Sequence, residues 1–391
     1  MRFLVLGGAG LQGRAALQDL LRSSGVSRII AADASLDGLK GASDWLDLSR
    51  IEQVVVDASD VQALTELFLS GVDVVVDLLP TQFIPKVLEA AVRAKVDVVN
   101  TMYASAIPEE FWERAIQTGI TVLPEMGLDP GIDLILCGYG VSQLTEVHEL
   151  HSYCGGFPER TAADNPLKYK ITWTWDGVLK SYKRPARFLR EGTVQEVAAP
   201  DIYKPEWVSS LDFPSVGKLE AILNGDAVVF AERLGLLGKL KSTTRYSLRW
   251  PGHSQLWLDL SHLGFLSDEA VPGLAGGVTP HQFMVRHLAP RLQYGDKEKD
   301  LVVMRNTLVG ERDGDLMVLQ YDLVDVREPR TGLFAMNRTV GFTASIAAQM
   351  VGRKEITKTG VLSPVVDIPY VSFLDELKER GIEIRETIRK A

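Results

Sequence analysis

Only two cysteines, Cys137 and Cys154, occur in 391 residues. Neither has metal-type spacing, and no metal site is expected. Two thiols in so long a chain exclude a disulfide scaffold and fit a reducing cytoplasm, with both expected as buried thiols. No apolar run reaches the roughly 18 residues that a membrane-spanning helix needs. The amino terminus enters a strand directly, without the charged region and apolar core of a secretory signal. Basic residues are the minority, 42 Lys and Arg against 51 Asp and Glu, for a net charge of −9. That balance argues against nucleic acid or an anionic membrane as partner. Internal repeats and low-complexity tracts are also missing. What remains is a globular composition, 46% hydrophobic and 24% charged, in a chain long enough for two domains.

The first thirteen residues carry the strongest local signal. Phe3 to Leu6 is a short apolar run of the kind that forms a strand buried on both faces. It stops in Gly8-Ala-Gly10-Leu11-Gln12-Gly13, a G-x-G-x-x-G pattern, and Arg14 to Arg22 follows with apolar residues at helical spacing. A Gly-rich turn between strand and helix brings bare backbone N–H groups to a pyrophosphate, at the positive end of the helix dipole. The pattern alone is weak, but a second strand ends at Asp33, twenty residues beyond Gly13, where a carboxylate accepts from ribose hydroxyls. Ala34-Ser-Leu-Asp37 places no Lys or Arg beside the acid. Arg28 and Lys40 lie outside the expected loop, so a 2′-phosphate would meet no cation, and NAD is expected over NADP.

Strand and helix patterns alternate up to about Leu123. Strands are expected at 3–6, 28–32, 53–56, 72–77, 96–100 and 121–123, with helices at 61–69, 83–94 and 109–118. Such alternation means a Rossmann-type, doubly wound parallel sheet, whose ligand crosses the carboxyl ends of the strands. The residues just past those ends are Asp33 and Ala34, Asp57 and Ala58, Leu79 and Pro80, then Thr101, Met102 and Tyr103. Asp57 would sit near the adenine, unless it serves only the start of the next helix with Ser59 and Asp60. Leu79 and Pro80 would sit near the nicotinamide ribose.

Asp129-Pro-Gly then breaks the alternation as turn chemistry, and a helix resumes at Ile132. Aromatic and β-branched runs follow, and strands are expected at 148–153, 170–175, 226–230, 246–250 and 317–322. They point to an inserted α+β domain built on a mixed or antiparallel sheet. Residues 339–352 form a small-residue apolar helix suited to close packing on the nucleotide domain. The expected division is 1–128 with 337–391 for dinucleotide binding, and 129–336 for substrate binding and dimerisation.

Several segments carry a family likeness. Gly127-Leu-Asp-Pro-Gly-Ile-Asp133, Tyr153-Cys-Gly155-Gly156-Phe-Pro158 and Asn165-Pro-Leu-Lys-Tyr-Lys170 with Trp173 resemble signatures of the saccharopine dehydrogenase superfamily. Residues 182–192, 217–221 and 248–253 look like its lysine 6-dehydrogenase branch. That resemblance implies NAD-dependent oxidation of the ε-amine of L-lysine to 2-aminoadipate 6-semialdehyde with release of ammonia, in a homodimer paired through the second domain. Two departures stand out: an additional Gly before Gly-Ala-Gly, and Leu134 where longer members often carry His.

Such chemistry needs a proton acceptor for the substrate ammonium and cations for its carboxylate. Asp129, Tyr103 and Lys170 are the catalytic candidates, with His151 and His253 as further bases. Met102, Glu125, Gly155, Gly156, Arg187 and Arg245 are the substrate-binding candidates. For Arg187 and Arg245 an ordinary solvated role is the competing reading, and for the histidines a packed, hydrogen-bonded one. Saccharopine reductase or carboxynorspermidine-type activity on a secondary amine is the enzymatic alternative. A non-catalytic NAD(H)-binding sensor is the alternative of another class.

Overall fold

The computed structural model describes all 391 residues. Contacts divide the chain into two units, Met1–Tyr139 with Glu328–Ile384, and Gly140–Arg327 with Arg385–Ala391. In chain order the first unit begins β1 (Arg2–Leu6), α1 (Leu11–Arg22), β2 (Arg28–Asp33), α2 (Asp37–Lys40), β3 (Glu52–Val55), α3 (Val61–Leu69) and β4 (Val74–Asp77). It continues with α4 (Ile84–Ala94), β5 (Asp97–Asn100), α5 (Glu110–Thr118), β6 (Thr121–Leu123) and α6 (Ile132–Ser142). The second unit carries β7 (Glu146–Pro158), α7 (Trp175–Ser181), β8 (Ala186–Arg190), β9 (Thr193–Val197), β10 (Val208–Phe213), β11 (Gly217–Leu223) and α8 (Val228–Arg233). Then come β12 (Ser242–Arg249), α9 (His253–His262), α10 (Pro280–Leu288), β13 (Asp300–Arg312) and β14 (Asp315–Val326). The chain ends with α11 (Ala335–Gly352), β15 (Gly360–Val361), α12 (Tyr370–Glu379) and β16 (Ile384–Lys390).

Sheet one is parallel throughout, in the order β15-β6-β5-β4-β1-β2-β3. Its central strands are apolar on both faces: Phe3, Leu4, Val5 and Leu6 are fully buried, as are Val75 and Val76. Each such side chain contributes about 1.5–3 kcal/mol on leaving water. Strand order reverses between β1 and β4, which opens the ligand crevice at their carboxyl ends. Helix α11 covers this sheet through its small residues. A Cβ on Gly341 would meet Ala15 Cβ at 2.7 Å, so α11 lies almost backbone to backbone on α1. Behind that contact the buried Asp19 carboxylate takes Arg380 Nε at 2.5 Å, Ser345 Oγ at 2.7 Å and Gln349 Nε2 at 2.9 Å. This network ties α1, α11 and α12 together.

The second sheet is mixed, in the order β10-β11-β12-β7-β13-β14-β16, with β8 and β9 attached beside β12. β7 runs parallel to β12 and antiparallel to β13.

Four expectations are corrected. The first unit keeps α6 as far as Tyr139, because Gly138 lies against Val365 and Tyr370. The carboxyl terminus does not stay with it, since β16 joins the second sheet beside β14. Residues 170–174 form no strand and Trp175 opens α7. Ile171 only packs against the core and Trp173 is exposed, while Trp175 is buried, its Nε1 donating to Met284 O. Residues 228–230 are helical because Asp226 Oδ1 accepts the Val228 and Val229 N–H groups, a capping arrangement that overrides two β-branched residues.

Candidate active site

The glycine segment folds as a closed turn at the end of β1. Gly7 takes a positive φ of 73°, and the N–H groups of Gly7 and Gly8 both donate to Ala32 O, at 2.9 and 3.2 Å. Gly10 N donates to Gly7 O at 3.0 Å. A Cβ on Gly13 would overlap Gly7 O, so only glycine lets α1 start this close to the turn. Gly10 is exposed, and no side chain caps the α1 amino terminus. The first N–H groups of the helix, from Leu11 onward, therefore lack an internal acceptor and suit a phosphate. The residues fit a dinucleotide.

Asp33 closes the second side. Its Oδ2 accepts Ala9 N at 3.1 Å, which fixes the carboxylate against the glycine turn, with the exposed Ala34 beside it. Arg28 and Lys40 are used elsewhere, on Glu52 and Asp37. A cation does reach this region: Arg14 Nη1 donates to Gly38 O at 3.3 Å. Asp57 is exposed at the end of the next strand and accepts Ser59 N at 2.8 Å, and these hydrogen bonds hold its carboxyl below the ordinary value. Ala58 is buried beside it. The helix cap proper is Asp60, which accepts Gln62 N and Ala63 N.

At the ends of β4, β5 and β6 the remaining first-unit candidates converge. Leu79 packs on the core while Pro80 is exposed. Thr81 Oγ1 meets Met102 Sδ at 3.2 Å, and Thr101 lies 3.5 Å from where a Gly127 Cβ would be. Glu125 is 1% exposed, holds a positive φ of 64°, and accepts Ala104 N at 3.0 Å directly after Tyr103. Its own N–H donates to Met102 O at 2.9 Å. Met102, Tyr103 and Glu125 thus form one knot. Asp129 stands half-buried in the following turn, which is held shut by Gly127 N donating to Pro130 O and Gly131 N donating to Asp133 Oδ1.

Two buried side chains here went unnoticed in the sequence. Asp77 ends β4 and accepts Leu79 N at 3.1 Å, and full burial pushes its carboxyl up to about 7 against the pull of that hydrogen bond. Asn100 stands opposite it on β5 and accepts Met102 N at 3.0 Å. A strand-end polar residue reveals its burial only once the register is known.

The second-unit candidates have structural partners. Lys170 is 5% exposed, with Nζ 2.6 Å from Glu298 and 3.1 Å from Asp164. Burial pulls its pKa down, but the two carboxylates outweigh that and hold it above the ordinary lysine value. Two carboxylates that favour the charged ammonium give Lys170 a structural pairing and speak against it as the base. Gly155 and Gly156 lie within β7, paired with Val303 and Val302 of β13, and a Cβ on Gly155 would reach Leu248 Cβ at 2.8 Å. They are buried in the sheet rather than open to a ligand, which corrects their expected role. Arg187 Nη1 pairs with Asp226 at 3.1 Å, and the buried Arg245 guanidinium lies 4.9 Å from the Phe230 ring centre. His151 Nδ1 contacts Thr244 Oγ1 at 2.6 Å, and burial lowers its pKa despite Glu149. His253 packs edge-on to Tyr182 and is likewise held neutral by burial and by Arg249.

One further group was invisible in sequence spacing. Glu146, His148 and Glu311 come together across β7 and β13, their ligand atoms within 4.8 Å of one another. Both cysteines are buried thiols that form no disulfide. No helix is long and apolar enough to cross a membrane.

Comparison with known proteins decides the family. Residues 3–123 match the saccharopine dehydrogenase NADP binding domain, and 127–382 match the saccharopine dehydrogenase C-terminal domain. The chain belongs to the saccharopine dehydrogenase family. It is 28% identical to the saccharopine dehydrogenase [NADP(+), L-glutamate-forming] of Pyricularia oryzae, over 97% of this chain and 98% of that protein. It is 27% identical to the mitochondrial alpha-aminoadipic semialdehyde synthase of Mus musculus, but spans only 47% of that longer relative. Apo saccharopine dehydrogenase (L-Glu forming) of Saccharomyces cerevisiae matches with a TM-score of 0.85 over 99% of both chains at 24% identity, which establishes the fold.

Proposed function

We propose that this family member is an NAD-dependent dehydrogenase of amino-acid amines that oxidises the ε-amine of L-lysine. The carbon–nitrogen bond is oxidised and then hydrolysed: substrate, oxidised cofactor and water give 2-aminoadipate 6-semialdehyde, ammonium, reduced cofactor and one proton. The nicotinamide, when bound, supplies the hydride acceptor. The chain's own residues bind and orient. The uncapped N–H groups at Leu11 and Gln12 hold the pyrophosphate, and Asp33 accepts from the ribose. Of the candidate bases, Asp129 is half-buried in a turn closed by hydrogen bonds and belongs to the same unit as the glycine turn, so Asp129 is the proton acceptor in this reading.

The observation that carries the cofactor choice is the Asp33 carboxylate fixed to Ala9 N, a group that suits a free 2′-hydroxyl and repels a 2′-phosphate. Lysine itself rests on the likeness of residues 182–192, 217–221 and 248–253 to the lysine 6-dehydrogenase branch. The full-length match to a glutamate-forming, NADP-named relative favours a second reading, cleavage of saccharopine with NADP. Incubation with each cofactor and each substrate separates them. Ammonia from lysine with NAD supports the first, and glutamate from saccharopine supports the second. Tight NADH binding with no amine turned over would leave a sensor. The same proposal includes a homodimer paired through the second unit, supported by exposed Leu316, Val324 and Val326 on β14, and a cytoplasmic location. Light scattering tests the dimer.

A further inference from the structure

Asp77 is the one deeply buried carboxylate at the carboxyl ends of β1, β4 and β5 for which no cation is provided. Register fixes its surroundings. Leu6 of β1 lies on one side and Asn100 of β5 on the other, and alternation puts all three on the face shared with Val75. The helices packed on that face keep their charges away. Glu89 of α4 is taken by Arg93 and Arg114, while Glu66, Lys86, Glu110 and Glu113 are exposed. Helix α11 packs on β4 and β5 with a single charged residue, Arg338, whose guanidinium lies 5.6 Å from the Phe342 ring centre. Glu125 beyond β6 is held by Ala104 N.

The Asp77 side chain itself organises the crevice. It fixes Leu79 N, while Leu78 N donates to Leu6 O at 3.1 Å and the Leu78 carbonyl closes on Gly7, so β4's end is joined to the glycine turn. Asn100 repeats the device for Met102, and its Nδ2 is buried without a hydrogen-bond partner. A buried donor left without a partner at the crevice end of β5 is unusual in a folded protein.

We propose that Asp77 makes the site distinguish the oxidised from the reduced nicotinamide cofactor, its ionised carboxylate favouring the cationic ring and its neutral carboxyl the uncharged one. The inference rests on the nucleotide-binding reading above and specifies how that site is tuned. The switch-point geometry places the nicotinamide half over the β4 and β5 ends. The oxidised ring carries a formal positive charge and the reduced ring none. Oxidised cofactor therefore promotes loss of the Asp77 proton to solvent, and reduced cofactor promotes its retention. Asp77 ionises near pH 7, which puts this exchange in the working range. A charge pair in a partly protein-like medium changes affinity by about tenfold or more.

The test is direct binding to the whole protein, by calorimetry, of NAD, NADH and ADP-ribose between pH 5.5 and 8.5, in the unmodified protein and Asp77→Asn. The ratio of the NADH to the NAD dissociation constant should rise about tenfold across pH 7 in the unmodified protein. It should stay flat in Asp77→Asn, and ADP-ribose, which lacks the ring, should bind without that step. A flat ratio in the unmodified protein, an unchanged rise in Asp77→Asn, or the same step with ADP-ribose would overturn the inference while leaving the cofactor reading intact. Absence of binding by all three ligands would instead sink the cofactor reading and this inference with it.

Discussion

The Asp33 carboxylate accepts the Ala9 N–H at 3.1 Å, so the acid that would bind ribose is already bonded to the turn that would bind phosphate. Asp33→Ala removes both contacts. NAD affinity should fall about 10- to 100-fold, as hydrogen bonds to charged groups are each worth about 1.5–3 kcal/mol. NADP affinity should fall much less. Titration of cofactor fluorescence in both proteins measures this, and a preference for NADP in the unmodified protein would refute the ribose argument.

Gly13→Ala should damage fold and cofactor binding together. The added methyl overlaps Gly7 O, a backbone atom that cannot step aside. Overpacking of this kind costs about 1–3 kcal/mol. Thermal denaturation and NADH binding should both decline, and a variant with unchanged melting and binding would show that the turn is looser than described.

Lys170→Met separates a structural ammonium from a catalytic one. Losing it leaves Glu298 and Asp164 facing each other without a cation. Because Asp164 is exposed, the expected cost is about 1–3 kcal/mol, below that of a fully enclosed pair. Among molecules still folded, kcat should be nearly unchanged. A fall of a hundredfold or more in kcat with normal stability would restore Lys170 to the chemistry.

Asp77 imposes a pH dependence on stability. Burial raises its folded pKa from 3.8 to about 7. A raised acid favours the folded state fully below the unfolded value and loses that contribution as pH rises through the folded value. Relative to Asp77→Asn, which stays neutral, the unmodified protein should therefore weaken between about pH 4 and 7, by on the order of a few kcal/mol, and then level off. Denaturant melts at three pH values measure the difference, and an unmodified protein that holds or gains stability relative to Asp77→Asn as pH rises would contradict the burial argument.

The Asp19–Arg380 pair supplies a test of the α1–α11–α12 network. Arg380→Met leaves a buried carboxylate with only neutral donors and should cost about 3–5 kcal/mol. Adding Asp19→Asn should recover part of that loss. Equal stability of the single and double variants would mean that the charge is unimportant.

The nucleotide half was readable because each of its signals is local. Gly7–Gly13 encode a turn, the apolar runs of β1, β2 and β4 encode buried strands, and the small residues of α11 encode close approach. The unread features depend on partners distant in sequence. Residues 170–174 alternate like a strand, yet no neighbouring strand accepts them. Asp226 turned Val228–Val229 into helix by two hydrogen bonds that a propensity reading does not weigh. Arg14 lay in plain view after the last glycine, but its reach to Gly38 required the fold. Asp77 and Asn100 looked like ordinary strand-end polar residues until register set them side by side.

The two-residue strand β15 and helix α11 complete a sheet whose other strands all lie before residue 124. Between the two stretches residues Gly140–Arg327, nearly all of the second unit, must be synthesised. During translation the nucleotide-binding half therefore waits with Ala15, Ala16 and the flank of β6 uncovered for some two hundred residues, until α11 arrives over α1 and β15 pairs with β6. This long-range closure makes truncation within the last sixty residues a lesion of the first half of the chain.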